Sequence, residues 1–449
     1  MALRKKSSAK PYALALLLIL CTVLPLPSYS QEKSALCGTA MFAKKRAKLN
    51  PARARVDRKE NSSPDFTGEK KGLIILVQFP DITFSSSDPL SVWGDIANER
   101  GYSGNGAMGS VSDYFYDQSY GQFRLNFDVV GPVTAAHDHG YYGDNIDFGD
   151  GLWLDQNVGE LLEEACRGVA DQVSFADYDW DDDGVVEQVF MLYAGHGEND
   201  YHSKDSTTIW PHMSMLSTDW PGYENGLRIQ DRVIDVYACS NEINRSGKLD
   251  GMGTICHEFS HCLGLPDLYD VNTGTSVVGY YDLMSQGSYS GGGWCPVGYS
   301  SYERYACGWL TPQPVGDPLD VTGLLPLHSH PDARIYRTSE DANDYYIIEY
   351  REKTSWDTYF PRSGLRAWYV DYDREVWKQN KVNVDPSHYR VMHMTIDKIP
   401  TSVSGIMRDD KTVVGIYDLL GRPAAPSASG LLIVSYSDGT RKVVSVPEH

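Results

Sequence analysis

The stretch His257-Glu258-Phe259-Ser260-His261-Cys262-Leu263-Gly264-Leu265-Pro266-Asp267 decides how this 449-residue chain is read. On a helix, two histidines four residues apart leave one face, about 40° from each other around the axis. Both imidazoles can then hold one metal ion while the intervening Glu258 lies beside the open coordination position. Gly264 falls where a left-handed residue ends such a helix and turns the chain. Asp267 arrives three residues later, so a carboxylate returning from the turn completes a set of two imidazoles and one oxygen. With one position left for water, that set suits a catalytic zinc better than a structural one. The competing reading makes His257 and His261 core residues and Asp267 the start of a loop; Asp282 is the alternative third ligand.

Working outward, residues 72–79 (GLIILVQF) are continuously apolar and β-branched and stop at Pro80, as a strand buried on both faces should. Runs 187–193 and 233–238 read as further buried strands, and 111–117 and 153–169 as helices, the second with Leu161, Leu162, Ala165 and Val169 at helical spacing. The pattern predicts an α/β domain over 66–310 with a twisted sheet and the motif helix. Beyond 310 the runs 334–338, 345–350, 364–369 and 389–396 are short and strand-like, which predicts an all-β sandwich over 311–400. A small β module of two hairpin-like units closes the chain over 401–449.

The composition bounds what such a protein meets. Forty Lys and Arg against sixty Asp and Glu give a net charge of −20, and the first thirty residues hold only basic charges (Arg4, Lys5, Lys6, Lys10), so the remaining body is more acidic still. That balance repels phosphate backbones and argues against nucleic acid as a partner. Residues 1–30 read as a secretory leader: a basic start, an apolar run, and Ser28-Tyr29-Ser30 as a small-x-small cleavage site. Leu20 before Cys21 is too large for a lipid-anchor box, and no other apolar run is long enough to span a bilayer. The protein is expected to leave the cytoplasm, as a monomer. Residues 31–65 crowd basic side chains with few apolar ones and read as a cleavable pro-segment or linker. Without Cys21, seven cysteines remain; six from Cys166 to Cys307 could pair and leave Cys37 over, in connectivities that cannot be ranked, although Cys256 and Cys262 lie too far apart on a helix to bridge.

HEFSHCLGLPDLYD resembles the metzincin signature HExxHxxGxxH with Asp in the last place, and most closely the immune inhibitor A family of secreted bacterial metallopeptidases. Further stretches, spread over about residues 68–396, are similar to that family: GLIILVQFPD at 72–81, Asp113-Tyr114-Phe115 and Ser119-Tyr120-Gly121-Gln122-Phe123, Ala194-Gly195-His196-Gly197-Glu198, Ile209-Trp210-Pro211-His212, Tyr281-Asp282-Leu283-Met284, Cys307-Gly308-Trp309-Leu310 and Ser363-Gly-Leu-Arg-Ala-Trp-Tyr-Val-Asp371. The resemblance implies a metzincin-like zinc endopeptidase of proteins or peptides, with His257, His261 and Asp267 as zinc ligands, Glu258 as general base toward a zinc-activated water, and Met284 as an apolar floor beneath the metal. Tyr289 or Tyr281 is a candidate donor to the oxyanion. Asp in place of the third His lowers the charge of the zinc unit, so its water should be somewhat less acidified.

Asp177, Asp179, Asp181, Asp182, Asp183 and Glu187 crowd one loop, and Phe190 stands where an EF-hand needs its bidentate Glu. A one-off oxygen cage for Ca²⁺, built from Asp177, Asp179, Asp181, Asp183 and Glu187, is expected instead. Cys37 is a candidate latency ligand, a thiolate able to displace the catalytic water of a zymogen, with Asp57 or Glu60 as acidic alternatives. The last forty residues resemble the sorting domain of type IX secretion, in Gly415-Ile-Tyr-Asp-Leu-Leu-Gly-Arg422 and Gly430-Leu-Leu-Ile-Val434, which implies that machinery as a partner. A different class remains: a secreted adhesin or glycan-binding protein with a vestigial site. It would need a damaged ligand or a missing base, and all four residues are present.

Overall fold

The computed structural model describes residues 66–147, 153–199, 206–315, 321–337, 343–396, 413–418, 424–425, 430–436 and 441–446. The residues read as a leader (1–30) and as a pro-segment or linker (31–65, with Cys37, Asp57 and Glu60), and parts of the tail stretch, lie outside the described residues.

The apolar run lies in β1 (Gly68–Gln78), where residues 73–77 are all buried. Alternation along the strand divides it between two cores. Leu73, Ile75 and Val77 face one hydrophobic cluster, while Ile74 and Leu76 face the other. Helix α1 (Pro89–Asn98) starts with Pro in its first turn and the Asp88 carboxylate accepting from the Ser91 N–H. Helix α2 (Val111–Gln118) starts with a capping box in which Ser110 and Asp113 satisfy each other's backbone N–H groups. Strand β2 (Phe123–Thr134) then pairs in parallel with β1. The helix predicted from 153 begins later, as α3 (Val158–Gly168), because Trp153–Asp155 pairs as a short strand with Asn145–Asp147. Strands β3 (Val189–His196), β4 (His212–Met215) and β5 (Val236–Ile243) complete a five-stranded sheet in the order β2-β1-β3-β5-β4, parallel except for β4 at the edge. Side chains of α1 and α2 cover one face of the sheet and those of α3 the other. This is a mixed α/β layering that suits a peptidase domain.

Helix α4 (Gly253–Ser260) carries the motif and packs under the first of these faces through Ile255, Cys256 and Phe259. Helix α5 (Ser301–Ala306) follows, again with a capping box, Ser300 with Glu303.

Among the described residues of 311–400 the strands form one sheet instead of the two that the expected sandwich needs. Strands β6 (Gln313–Pro314), β7 (Arg334–Arg337), β8 (Asp344–Arg351), β9 (Gly364–Asp371) and β10 (Val391–Ile396) make a single sheet in chain order, antiparallel after β6, with helix α6 (Arg374–Lys378) between the last two. Its inner face needs no second sheet from the same segment. Ile335, Ile347, Trp368, Val370 and Val391 belong to the same buried cluster as Ile255 and Phe259 of α4. On its other face Val321, Ile348, Ala367 and Ile396 gather with Ile433 packed against them. The tail strands β11 (Val413–Asp418), β12 (Gly430–Tyr436) and β13 (Arg441–Val446) form the two antiparallel hairpins that were read.

None of the six cysteines from Cys166 to Cys307 forms the disulfides considered, and five of them are buried. Cys166 and Cys239 sit in one hydrophobic cluster, Cys256, Cys295 and Cys307 in the other, and Cys262 donates to Gln188 Oε1 at 2.6 Å.

Candidate metal centre

Helix α4 is buried almost all round, and its first turn is pressed against the 3₁₀ segment Gln286–Gly293: a Cβ on Gly253 would overlap the Ser288 carbonyl oxygen. After Ser260 the chain tightens into a 3₁₀ turn, His261–Leu263, and Gly264 takes a left-handed conformation at φ 81°. That residue reverses the chain and brings Asp267 back beneath the two histidines.

The three side chains meet. His257 Nε2 lies 3.1 Å and His261 Nε2 3.7 Å from Asp267 Oδ1, and the two imidazole rings stand perpendicular with centroids 5.1 Å apart. Each ring is fixed from behind. His257 Nδ1 lies 2.9 Å from the Leu283 carbonyl and His261 Nδ1 2.8 Å from the Leu265 carbonyl. A carbonyl only accepts, so Nδ1 carries the proton in each and Nε2 is presented at the meeting point. Those two nitrogens and Asp267 Oδ1 are buried and have no hydrogen-bond partner in the protein. Three orphaned atoms of this kind, directed at one point, are what a metal ion satisfies. Two imidazoles with one carboxylate oxygen fit zinc with a position left open.

The other oxygen of Asp267 is spoken for. Asn380 Nδ2 donates to Asp267 Oδ2 at 2.6 Å, and the Asp267 N–H donates to Asn380 Oδ1 at 2.7 Å. Burial alone would push both charges out. It lowers His257 and raises Asp267, but the facing Asp267 carboxylate and the Glu258 charge lift His257 to about 9. The His261 and His257 charges, with the Asn380 bond, hold Asp267 below its ordinary value. The point where the three atoms meet therefore favours positive charge.

Glu258 is 1% exposed, with Oε2 4.0 Å from His261 Nε2, at the edge of the cluster. Met284 is fully buried in the core that holds Ile255 and Phe259, and its turn is tied to the site at two points: Leu283 supplies the carbonyl under His257, and the Leu268 N–H donates to the Met284 carbonyl at 2.8 Å. Asp282, the alternative ligand, instead accepts from the Met284 N–H at 2.8 Å. Tyr281 has its ring stacked 4.0 Å from His393, under the Arg366 guanidinium, and Tyr289 stands 38% exposed on the 3₁₀ segment. A cavity of about 790 Å³ borders the helix end, lined by His261, Leu265, Tyr302, Tyr345, Trp377 and Asn380 among others.

At the acidic loop, carboxylate oxygens of Asp179, Asp181 and Asp183 come within 4.8 Å of one another. Asp179 accepts from the Asp183 and Gly184 N–H groups and pairs with Arg232 at 2.8 Å. Asp177 turns away to Lys71 at 3.0 Å, and Glu187 accepts from the Trp180 N–H at 2.7 Å. Asp181 accepts from the Asp183 N–H through Oδ1, leaving Oδ2 buried without a partner.

Asn380, Asn383 and the carbonyls of Leu265 and Leu283 were not read from the sequence. Backbone oxygens carry no residue signature, but Asn380 stands at the end of a short helical run, where Asn or Gly is the expected stop, and that signal was available.

Residues 92–310 match the family described as immune inhibitor A peptidase M6, catalytic domain. The matched span contains His257, Glu258, His261 and Asp267. Two curated relatives, the pre-pro-metalloproteases PrtV of Vibrio cholerae serotype O1 strains M66-2 and ATCC 39315 / El Tor Inaba N16961, are each 28% identical over 344 residues, covering 63% of this chain and 35% of the relative. The chain thus spans about a third of the length of those relatives. These likenesses support a metallopeptidase.

Proposed function

We propose that the chain is a secreted zinc endopeptidase that hydrolyses peptide bonds of extracellular proteins. The observation that carries this is the convergence of His257 Nε2, His261 Nε2 and Asp267 Oδ1, buried and otherwise unpartnered, beside the Glu258 carboxylate. Zinc held there supplies Lewis acidity, acidifying a water and polarising a substrate carbonyl. Glu258 takes the proton of that water and returns it to the leaving amine. The Leu283 and Leu265 carbonyls keep both imidazoles in the tautomer that presents Nε2. Donation to the oxyanion by Tyr289 or Tyr281 is part of the same proposal. Support comes from the family match over 92–310 and from a relative whose printed name is pre-pro-metalloprotease, which agrees with the leader at 1–30 and the pro-segment at 31–65. Among the described residues no helix is long and apolar enough to cross a membrane. Latency through Cys37, export through type IX machinery, and a monomeric state belong to this proposal and rest on the sequence alone. Digestion of a peptide library by the zinc-loaded protein, with Glu258→Ala as the control, tests the reading; no cleavage by the parent protein would sink it.

Calcium at the acidic loop is the second part of the proposal. The convergence of Asp179, Asp181 and Asp183 and the buried Oδ2 of Asp181 support it, while Arg232 already answers Asp179. Melting with calcium and with a calcium-specific chelator decides it. A bound ion at about 100 times its dissociation constant should raise the midpoint by several degrees, and coincident melts, with Asp181→Asn silent, remove calcium from the reading.

A further inference from the structure

Asn380 lies 113 residues after the aspartate it holds, in the segment that follows α6. Two features meet in it. First, it ends the helix. Its φ is 54°, its N–H bonds the Trp377 carbonyl at 3.0 Å, and the Lys381 N–H bonds the Val376 carbonyl at 3.1 Å. Those two bonds, with a left-handed residue one place beyond the Gln379 cap, are the Schellman ending that glycine serves best and asparagine next. Second, its side chain makes the reciprocal pair of bonds to Asp267, at 2.6 and 2.7 Å. Glycine would serve the helix ending equally well, so capping does not account for asparagine here. Aspartate would tolerate the backbone but has no N–H to give a carboxylate.

The surroundings hold this residue firmly. Trp377 of α6 donates from its indole to the Tyr302 hydroxyl at 2.8 Å. Three residues beyond Asn380, the buried Asn383 donates to the Leu268 carbonyl at 3.0 Å and accepts from the Val391 N–H at 3.0 Å. Two asparagines of one loop thus grip two consecutive residues of the ligand turn, Asp267 and Leu268. The consequence for Asp267 is a division of labour between its oxygens. Oδ2 is committed to Asn380, and Oδ1 alone is left facing His257 and His261.

We propose that Asn380 is a positioning residue for the metal centre. Through it, the sheet-bearing segment after residue 310 sets the orientation of the third ligand, so that the site is incomplete without that segment. This rests on the zinc reading above and adds to it a residue from outside the matched span 92–310.

The test uses the full chain stripped of metal, with zinc affinity measured by competition against a chromophoric chelator and with melting of the stripped protein as the structural control. Parent and His257→Ala fix the reference: one zinc per chain in the first and loss in the second. Asn380→Gly keeps the helix ending and removes the side chain, so its Kd for zinc should weaken by about 10 to 100-fold, as for other groups that orient a ligand, while the stripped melt stays near the parent's. Asn380→Asp should bind at least as weakly, because a second carboxylate then faces Asp267. A Kd for Asn380→Gly within about threefold of the parent, or a stripped melt that collapses, overturns the proposal. A parent that binds no zinc overturns the zinc reading itself and this inference with it.

Discussion

Shortening Glu258 to alanine removes one carboxylate and leaves both neighbouring imidazoles, with their backbone carbonyl anchors, in place. The variant should therefore keep its zinc and its fold and lose about 10²-fold or more in kcat/KM. Metal analysis and peptide turnover on one preparation check this, and near-normal turnover would remove Glu258 as the base. Asp267→Ala should behave differently: two imidazoles hold zinc poorly, so metal content by mass spectrometry should fall together with activity. Retention of one zinc per chain by that variant would assign the third ligand elsewhere. At this scale the sequence was informative wherever the chemistry sits on side chains at short spacing. The histidines, Glu258 and Asp267 span eleven residues and converge as the spacing implied. What stayed hidden acts through long-range pairing: Asn380 reaches Asp267 from another segment, and carbonyls are present at every position.

The helix that presents the histidines is short, and its position depends on close backbone approach at its start rather than on its own propensity. Gly253→Ala puts a methyl group into the Ser288 carbonyl, a backbone atom that cannot rotate away. About 1–3 kcal/mol should be lost, read as a lower denaturant midpoint at unchanged slope; an unchanged midpoint would show that the loop yields. Elements built on uninterrupted apolar runs were legible for the same reason that they are buried: β1 and β3 have helices or sheet on every side and so carry no alternation. Two readings failed for lack of a local signal. The start of α3 was placed early because Trp153–Asp155 looks helical until its strand partner at Asn145–Asp147 is known. The sandwich was inferred from strand spacing, which does not say whether the apolar face of a sheet meets another sheet or, as here, the core beneath α4.

For the whole molecule, one continuous core joins the parallel sheet to the later antiparallel one, and His393, packed in the later sheet, should make its stability depend on acid. His393 is packed against Tyr281 and Trp368, and burial together with the Arg366 charge lowers it to about 4, with Glu349 pulling the other way. The unfolded chain takes up this proton near the ordinary value of 6.5 and the folded chain only near 4. Stability is thus lost as pH falls between those values, by at most about 3 kcal/mol, and His393 makes no contribution above them. His393→Gln should flatten the melting temperature over that window relative to the parent. Parallel curves for the two proteins would show that His393 titrates as it does in water.

The grip of Asn380 on Asp267 also carries an order in time. A ribosome releases the histidines and Asp267 more than a hundred residues before it releases Asn380. A nascent chain would then display every proposed zinc ligand while lacking the residue proposed to aim one of them. On the proposed reading, full zinc affinity appears only after the chain has emerged past Asn380 and folded back, and a copy that ends before it holds its metal more weakly and cuts its neighbours less.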